Sequence, residues 1–313
     1  MLIARRLLPA GRDRLAASCE IREGGLEATS EDLLALAPGV DAIVPDPSVP
    51  VNEALLEAAG ERLVIVANFA VGYDNVDLEA CRRRGIAVTN TPGVLTNATA
   101  ELALALTLAA ARRVGEAEAE LRAGRWRGWD PGDLLGLELS GATFGVVGMG
   151  RIGRRYAELV AAFDGRILYT SPTPRPDAED EVGASRVTLG DLLNEADVVS
   201  LHARAVPETA GLIGGRELDA MKDHAVLVNT ARGSLVDSDA LARALRDGAI
   251  GAAGLDVYEH EPEVPRALLD APRCVVLPHI GSATTRSRNA MASMVADNVL
   301  AALSGAEPPN RVA

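Results

Sequence analysis

Three polar residues stand just past three apolar runs, and together they can move a proton beside a bound carboxylate. Arg232 follows Val226-Leu227-Val228-Asn229-Thr230-Ala231. Glu261 lies just past Gly254-Leu255-Asp256-Val257, and His279 follows Val275-Val276-Leu277-Pro278. A histidine titrates near neutral pH and can donate or accept a proton. A carboxylate beside it stabilises the imidazolium. An arginine fork can hold a substrate carboxylate and polarise a neighbouring carbonyl. Singly, each has an ordinary reading: a solvated arginine, a surface glutamate in Glu259-His260-Glu261-Pro262, a structural histidine. At three successive strand ends of one sheet they read as a site, because ligands of open α/β sheets gather outside the carboxyl ends of the strands.

A second constellation supplies a partner for that chemistry. The run Phe144-Gly145-Val146-Val147 ends in Gly148-Met149-Gly150-Arg151-Ile152-Gly153, and a helical pattern follows from Arg154 to Phe163. Strand, G-x-G-x-x-G turn and helix are the context a dinucleotide fingerprint requires. Gly148 permits the tight turn, Gly150 lets backbone approach a pyrophosphate, and Gly153 lets the helix sit close on the strand. The helix N-terminus offers free N–H groups to the phosphates. The competing reading is a glycine-rich turn between packed elements. With a nicotinamide seated here, Arg232, Glu261 and His279 serve hydride transfer to a 2-oxo acid.

These residues need an α/β frame. Strands are expected at Leu2–Leu8, Asp41–Val44, Leu63–Val66 and Ile86–Thr89, with helices at Gly11–Ser18, from Ser30, at Asn52–Ala59 and at Leu78–Arg84. Alternation of this kind indicates parallel α/β units. A long helix from Thr99 to Val114, apolar nearly all round, predicts burial on more than one side. The segment Gly124 to Gly136 reads as an ordered loop whose Trp126 and Trp129 anchor an interface, the favoured role, or cover a pocket. Beyond the fingerprint, strands are expected at Gly165–Tyr169, Asp197–Leu201, Ala225–Asn229, Gly251–Val257 and Cys274–Leu277. Helices are expected at Leu189–Glu195, Gly215–Met221, Ser238–Arg246 and Ser287–Leu303.

Composition narrows the class. The 313 residues suffice for two domains, and 48% hydrophobic residues for a substantial core. A net charge of −13 argues against nucleic acid and anionic membranes as partners. Cys19, Cys81 and Cys274 lie far apart without metal-ligand spacing, as expected of reduced thiols in a cytoplasmic protein. The longest clean apolar run, Leu102 to Ala111, is too short to span a bilayer. Arg5, Arg6 and Pro9 interrupt any signal-peptide core.

With these motifs in order, the chain resembles the D-isomer-specific 2-hydroxyacid dehydrogenases nearly end to end. The resemblance rests on Gly148 to Gly153, Asn229-Thr230-Ala231-Arg232-Gly233, Gly254-Leu255-Asp256-Val257 through Glu261-Pro262, and Pro278-His279-Ile280-Gly281-Ser282. Val71-Gly72-Tyr73-Asp74-Asn75-Val76-Asp77 and Thr91-Pro92-Gly93-Val94-Leu95-Thr96 add to it. Within the family, Arg125 to Pro131 and Ile167 to Ser171 look most like glyoxylate and hydroxypyruvate reductases. The resemblance implies two Rossmann-like domains with a cleft between them. A flavodoxin-like substrate domain would comprise residues 1–97 plus 285–313, and the dinucleotide-binding domain, 98–284, would be inserted in it. It implies His279 as acid–base, Glu261 as its partner, Arg232 as carboxylate and carbonyl ligand, and Val71 and Gly72 amides as further carboxylate ligands. Thr230, Ala231 and Asp256 would lie along the nicotinamide half of the cofactor, with Arg232, His279 and Gly281 as further cofactor contacts, and the long helix, with Thr99, would cross near it and build a homodimer.

One position departs from the NAD pattern. An acid at the end of the second fingerprint strand normally binds the ribose 2′-hydroxyl. Here Ser171 stands there, followed by Pro172-Thr173-Pro174-Arg175. Ser171, Thr173 and Arg175 therefore predict NADP(H) over NAD(H). The loop His202-Ala203-Arg204-Ala205-Val206-Pro207 would face the adenine side in the family, with His202, Arg204 and Pro207 as cofactor contacts. Alternatives are another D-2-hydroxyacid or phosphonate dehydrogenase, or a cofactor-sensing corepressor; retention of Glu261 and the absence of added modules favour a 2-oxoacid reductase.

Overall fold

The computed structural model describes all 313 residues, which form two compact units. The first joins Met1–Leu95 to Ser282–Ala313; the second is Thr96–Gly281.

The first unit holds five parallel strands: β1 (Leu2–Ile3), β2 (Arg22–Glu23), β3 (Ala42–Val44), β4 (Ile65–Ala67) and β5 (Ala87–Thr89), in the order β2-β1-β3-β4-β5. Side chains alternate across the sheet. Leu2, Ile43, Val66 and Val88 enter one core, and Ile3, Val44, Ile65 and Ala87 the other. With both faces covered, a parallel sheet of near-continuous apolar runs is the stable solution. The helix Thr285–Leu303 returns to this unit and buries Ala292, Val295, Ala296 and Val299 in the second core.

The second unit holds β6 (Thr143–Val147), β7 (Arg166–Thr170), β8 (Ser185–Arg186), β9 (Val198–Leu201), β10 (Val226–Asn229), β11 (Ala252–Leu255) and β12 (Cys274–Val276). All run parallel in the order β12-β11-β10-β9-β6-β7-β8. This is a doubly wound Rossmann sheet. The chain steps outward from β6 in both directions, so the topological switch point lies between the ends of β6 and β9. Register aligns Asn229 with Leu255 and Leu255 with Val276. The segments leading to Arg232, Glu261 and His279 thus leave the sheet at one level from three neighbouring strands.

Several boundaries differ from the sequence expectation for local reasons. The fingerprint helix begins at Arg151, directly after Gly150, rather than at Arg154. The long helix spans Thr96–Ala111; Arg113 then takes a left-handed φ of 53°, and a separate helix runs Val114–Arg122. The strands β2 and β8 escape sequence reading because each is a two-residue edge strand with no apolar run. The helices Pro176–Val182 and Arg266–Leu269 are short and carry a weak apolar pattern. Trp126 and Trp129 are exposed on the single chain, Trp129 at 85%. Cys81 is buried, while Cys19 and Cys274 are partly covered; burial pushes the Cys81 and Cys274 thiols up to about 11 and about 12. No helix is long and apolar enough to cross a membrane.

Candidate active site

The loop carrying Arg232 is closed by the last residue of β10. The Asn229 side chain accepts from the Ala231 N–H at 3.0 Å and donates from Nδ2 to the Arg232 carbonyl at 2.8 Å. Asn229 is buried, and this local exchange satisfies its amide. Gly233 then passes against the next loop: a Cβ there would sit 1.9 Å from the Tyr258 carbonyl carbon. Only a glycine lets the Arg232 loop lie on the segment that carries Glu261.

That segment is pinned from below. The Tyr258 hydroxyl donates to the Leu277 carbonyl at 2.9 Å, and the Tyr258 N–H donates to Glu261 Oε1 at 2.9 Å. Glu261 Oε2 lies 2.6 Å from His279 Nδ1. Burial alone would raise the Glu261 carboxyl. The His279 hydrogen bond and charge, the Tyr258 N–H and the nearby Arg232 outweigh burial and hold it below the usual carboxylate range. An ionised Glu261 accepts at Nδ1, so Nδ1 carries a proton and Nε2 is the edge left for a reactant.

His279 has a φ of 52°, a left-handed backbone that costs a non-glycine residue about 1–2 kcal/mol. Asp256 supports it. Its Oδ1 accepts from the Ile280 N–H at 2.8 Å and its Oδ2 from the Gly281 N–H at 2.7 Å, fixing the turn just after His279. Burial pushes the Asp256 carboxyl up, opposed by these two amides and by His279. Replacing Asp256 by Asn turns one acceptor into a donor facing an N–H. We expect Asp256→Asn to lose about 1–3 kcal/mol of stability and to lower turnover with it. Thermal unfolding and kcat of the purified variant check this, and wild-type values for both would contradict it.

The glycine turn fits a dinucleotide. Gly148 has a φ of 97°, and a Cβ on it would meet the Ala203 nitrogen at 2.6 Å; a Cβ on Gly153 would meet the Gly148 carbonyl oxygen at 2.1 Å. Packing demands these two glycines. Around Gly150 nothing lies within 4 Å of a built Cβ, so its face is open. Gly150 is the N-cap of the helix Arg151–Val160 and provides no side-chain cap, which leaves the first-turn N–H groups for an anion. Thr230 Oγ1, past the end of β10, is buried without a hydrogen-bond partner, as a site that receives a polar group requires. These features fit the pyrophosphate and amide of a nicotinamide dinucleotide.

The other expected cofactor residues are spread around this turn. Arg151 is exposed at the first helical position and Ile152 is half-buried, whereas the Met149 side chain belongs to the core and offers only backbone. The Thr99 hydroxyl donates to the Gly281 carbonyl at 3.2 Å. His202 Nε2 meets Ser200 Oγ at 2.9 Å beside the buried Tyr156 ring, and desolvation lowers the imidazole to about 3, so it is neutral. Arg204 and Pro207 are exposed in the following loop. Past β7, the Ser171 hydroxyl donates to the Thr173 carbonyl, and the Arg175 N–H donates to the Tyr169 oxygen at 2.8 Å; Arg175 itself is exposed.

Val71 and Gly72 belong to the first unit. Asn90 Nδ2 donates to the Val71 carbonyl and Asn68 Nδ2 to the Gly72 carbonyl, both at 2.8 Å, with Asn75 bonded to Asn68. These asparagines restrain the carbonyls of the pair. Sequence reasoning missed Asn68, Asn90, Gly233 and Tyr258 as positioning residues. No local pattern marks Asn90, which lies 19 residues past Val71, and Gly233 needed knowledge of which loop lies against it.

Comparison with known proteins places this geometry. Residues 104–281 match the model for the D-isomer specific 2-hydroxyacid dehydrogenase NAD binding domain. A glyoxylate reductase of Thermococcus litoralis is 49% identical over 277 residues, covering 87% of this chain and 83% of that protein. One from Aeropyrum pernix is 50% identical over 287 residues, covering 90% and 85%. Among solved structures, the NADPH-dependent glyoxylate/hydroxypyruvate reductase of Sinorhizobium meliloti, in complex with NADP and malonate, superposes with a TM-score of 0.88 at 37% identity. That match covers 100% of this chain and 96% of the other. Matched through the Rossmann unit and along most of its length, the chain belongs to the D-isomer-specific 2-hydroxyacid dehydrogenase family.

Proposed function

We propose that the chain reduces a small 2-oxo acid of the glyoxylate or hydroxypyruvate type to the D-2-hydroxy acid, using NADPH in preference to NADH. The observation that carries this reading is the His279–Glu261 pair at 2.6 Å, on strand ends next to that of Arg232 and in the same sheet as the open glycine turn. The glyoxylate reductases among its relatives support the substrate class.

The bound nicotinamide supplies the hydride. Gly148 to Gly153 would hold its pyrophosphate on the open helix N-terminus. Arg232 binds the substrate carboxylate and polarises the 2-oxo group, and the Val71 and Gly72 amides add to the carboxylate site. His279, oriented at Nδ1 by Glu261, delivers its Nε2 proton to the carbonyl oxygen as the alcohol forms. Arg232 stabilises the negative charge growing on that oxygen.

The cofactor preference follows from Ser171 standing where an acid would select NAD, with Thr173 and Arg175 after it in the same loop. Steady-state kinetics on glyoxylate and hydroxypyruvate with each cofactor test it. We expect kcat/KM to favour NADPH by at least about tenfold, the scale of one charge-assisted contact to a phosphate. A preference for NADH would refute it, and no turnover of either acid would refute the function. We also assign a homodimer, in which a second copy covers the exposed Leu121, Trp126, Trp129 and Leu135. Sedimentation at the monomer mass would overturn that.

A further inference from the structure

We propose that Arg186, at the tip of the edge strand β8, is the residue that recognises the ribose 2′-phosphate. The proposal rests on the NADPH reading above and adds a determinant outside the Ser171–Arg175 loop.

Arg186 pairs with Tyr169 across β7 and β8, and its side chain extends past the end of β7. Nη2 donates to the Ser171 carbonyl at 3.0 Å and to the Pro172 carbonyl at 3.1 Å, and Nε approaches the Ser171 carbonyl at 3.3 Å. The guanidinium is therefore fixed against the backbone of the loop that follows the second fingerprint strand, where these folds read the ribose. The Gly148 N–H donates to the Thr170 carbonyl at 2.9 Å, so this loop adjoins the pyrophosphate turn. The anchoring bonds engage Nε and Nη2 and leave Nη1 for a ligand. An arginine ordered beforehand loses little freedom on meeting a phosphate.

Arg175, in the same loop, is exposed and bonded only through its backbone, so of the two arginines Arg186 is the one whose guanidinium is already held in place. The Ser171 hydroxyl proton is committed to the Thr173 carbonyl. On the helix Pro176–Val182, Glu179 accepts from the Tyr169 hydroxyl at 2.5 Å, and Asp177, at 2.5 Å, and Glu181 share Arg154, which holds these carboxylates in fixed pairings. Only Asp180 is left exposed on that helix without such a partner.

Calorimetric titration with adenosine 2′,5′-bisphosphate and with adenosine 5′-monophosphate tests this without turnover. The wild-type protein should bind the bisphosphate more tightly. Arg186→Met keeps most of the stem and removes the charge. It should weaken the bisphosphate by about ten- to hundredfold while leaving the monophosphate within about twofold, and Arg186→Lys should recover part of the loss. Equal weakening of both ligands would show that Arg186 only braces the loop, and would overturn the proposal. A wild-type preference that survives in Arg186→Met would also overturn it while leaving the NADPH reading intact. Absence of any wild-type preference would remove that reading and this proposal together.

Discussion

His279→Ala should retain cofactor binding and lose about 10²–10⁴-fold in kcat, the range a positioned general acid contributes. The His279 ring has one edge committed to Glu261 and the other available, so truncation removes the proton donor without touching the glycine turn. Glu261→Gln should cost less. A glutamine can offer Nδ1 either its oxygen or its N–H, and only the first keeps the proton on Nδ1. In the double variant, Glu261→Gln should add almost nothing to His279→Ala, because the glutamate acts through the histidine. Single-turnover rates with fluorescence titration of the cofactor separate the two effects. Near-wild-type turnover in purified His279→Ala would remove His279 from the reaction. Glu261 has a folded pKa below its unfolded value. Its contribution is therefore complete above the unfolded carboxylate range, about 4.3, and is lost only as pH falls through the lower folded value. Between about pH 5 and 8 the Glu261 carboxylate stays ionised, so any pH dependence of turnover there has another origin.

The candidate residues Arg232, Glu261 and His279 were legible because strand ends in a parallel sheet are marked twice, by an apolar run and by the polar residue that follows it. Val226 to Asn229 and Cys274 to Val276 are buried or partly buried runs whose termini a sequence shows directly. The fingerprint was legible for a related reason: packing forces glycine at positions 148 and 153. What sequence could not show was the support beneath these residues. Tyr258 holds Glu261 through a backbone N–H and Leu277 through its hydroxyl, and Asp256 fixes His279 from 23 residues earlier in the chain. Such bonds depend on loop conformations that no local pattern encodes. The strand β8 was invisible for the converse reason. Two polar residues at a sheet edge carry no hydrophobic period, so nothing in the local sequence marks Arg186.

Arg232→Ala should lower kcat/KM for glyoxylate by about 10³-fold or more, through a raised KM and a lowered kcat together. An arginine that binds the carboxylate in the ground state and meets the growing charge on the 2-oxo oxygen loses both kinds of interaction on truncation. The loop is held by the Asn229 side chain on the backbone of Ala231 and Arg232 and by the close passage of Gly233 over Tyr258, both of which survive truncation; the bond from Arg232 Nη1 to the Ala231 carbonyl at 2.8 Å is lost with the guanidinium. Arg232→Lys keeps the charge but not the planar fork, and should recover part of the activity. The sharpest readout is substrate discrimination. Glycolaldehyde has a reducible carbonyl but no carboxylate, so the wild-type protein should strongly prefer glyoxylate, and Arg232→Ala should narrow that ratio by at least about tenfold, one charge-assisted contact. If the variant folds as judged by its melting temperature and keeps the wild-type ratio, Arg232 does not hold the carboxylate.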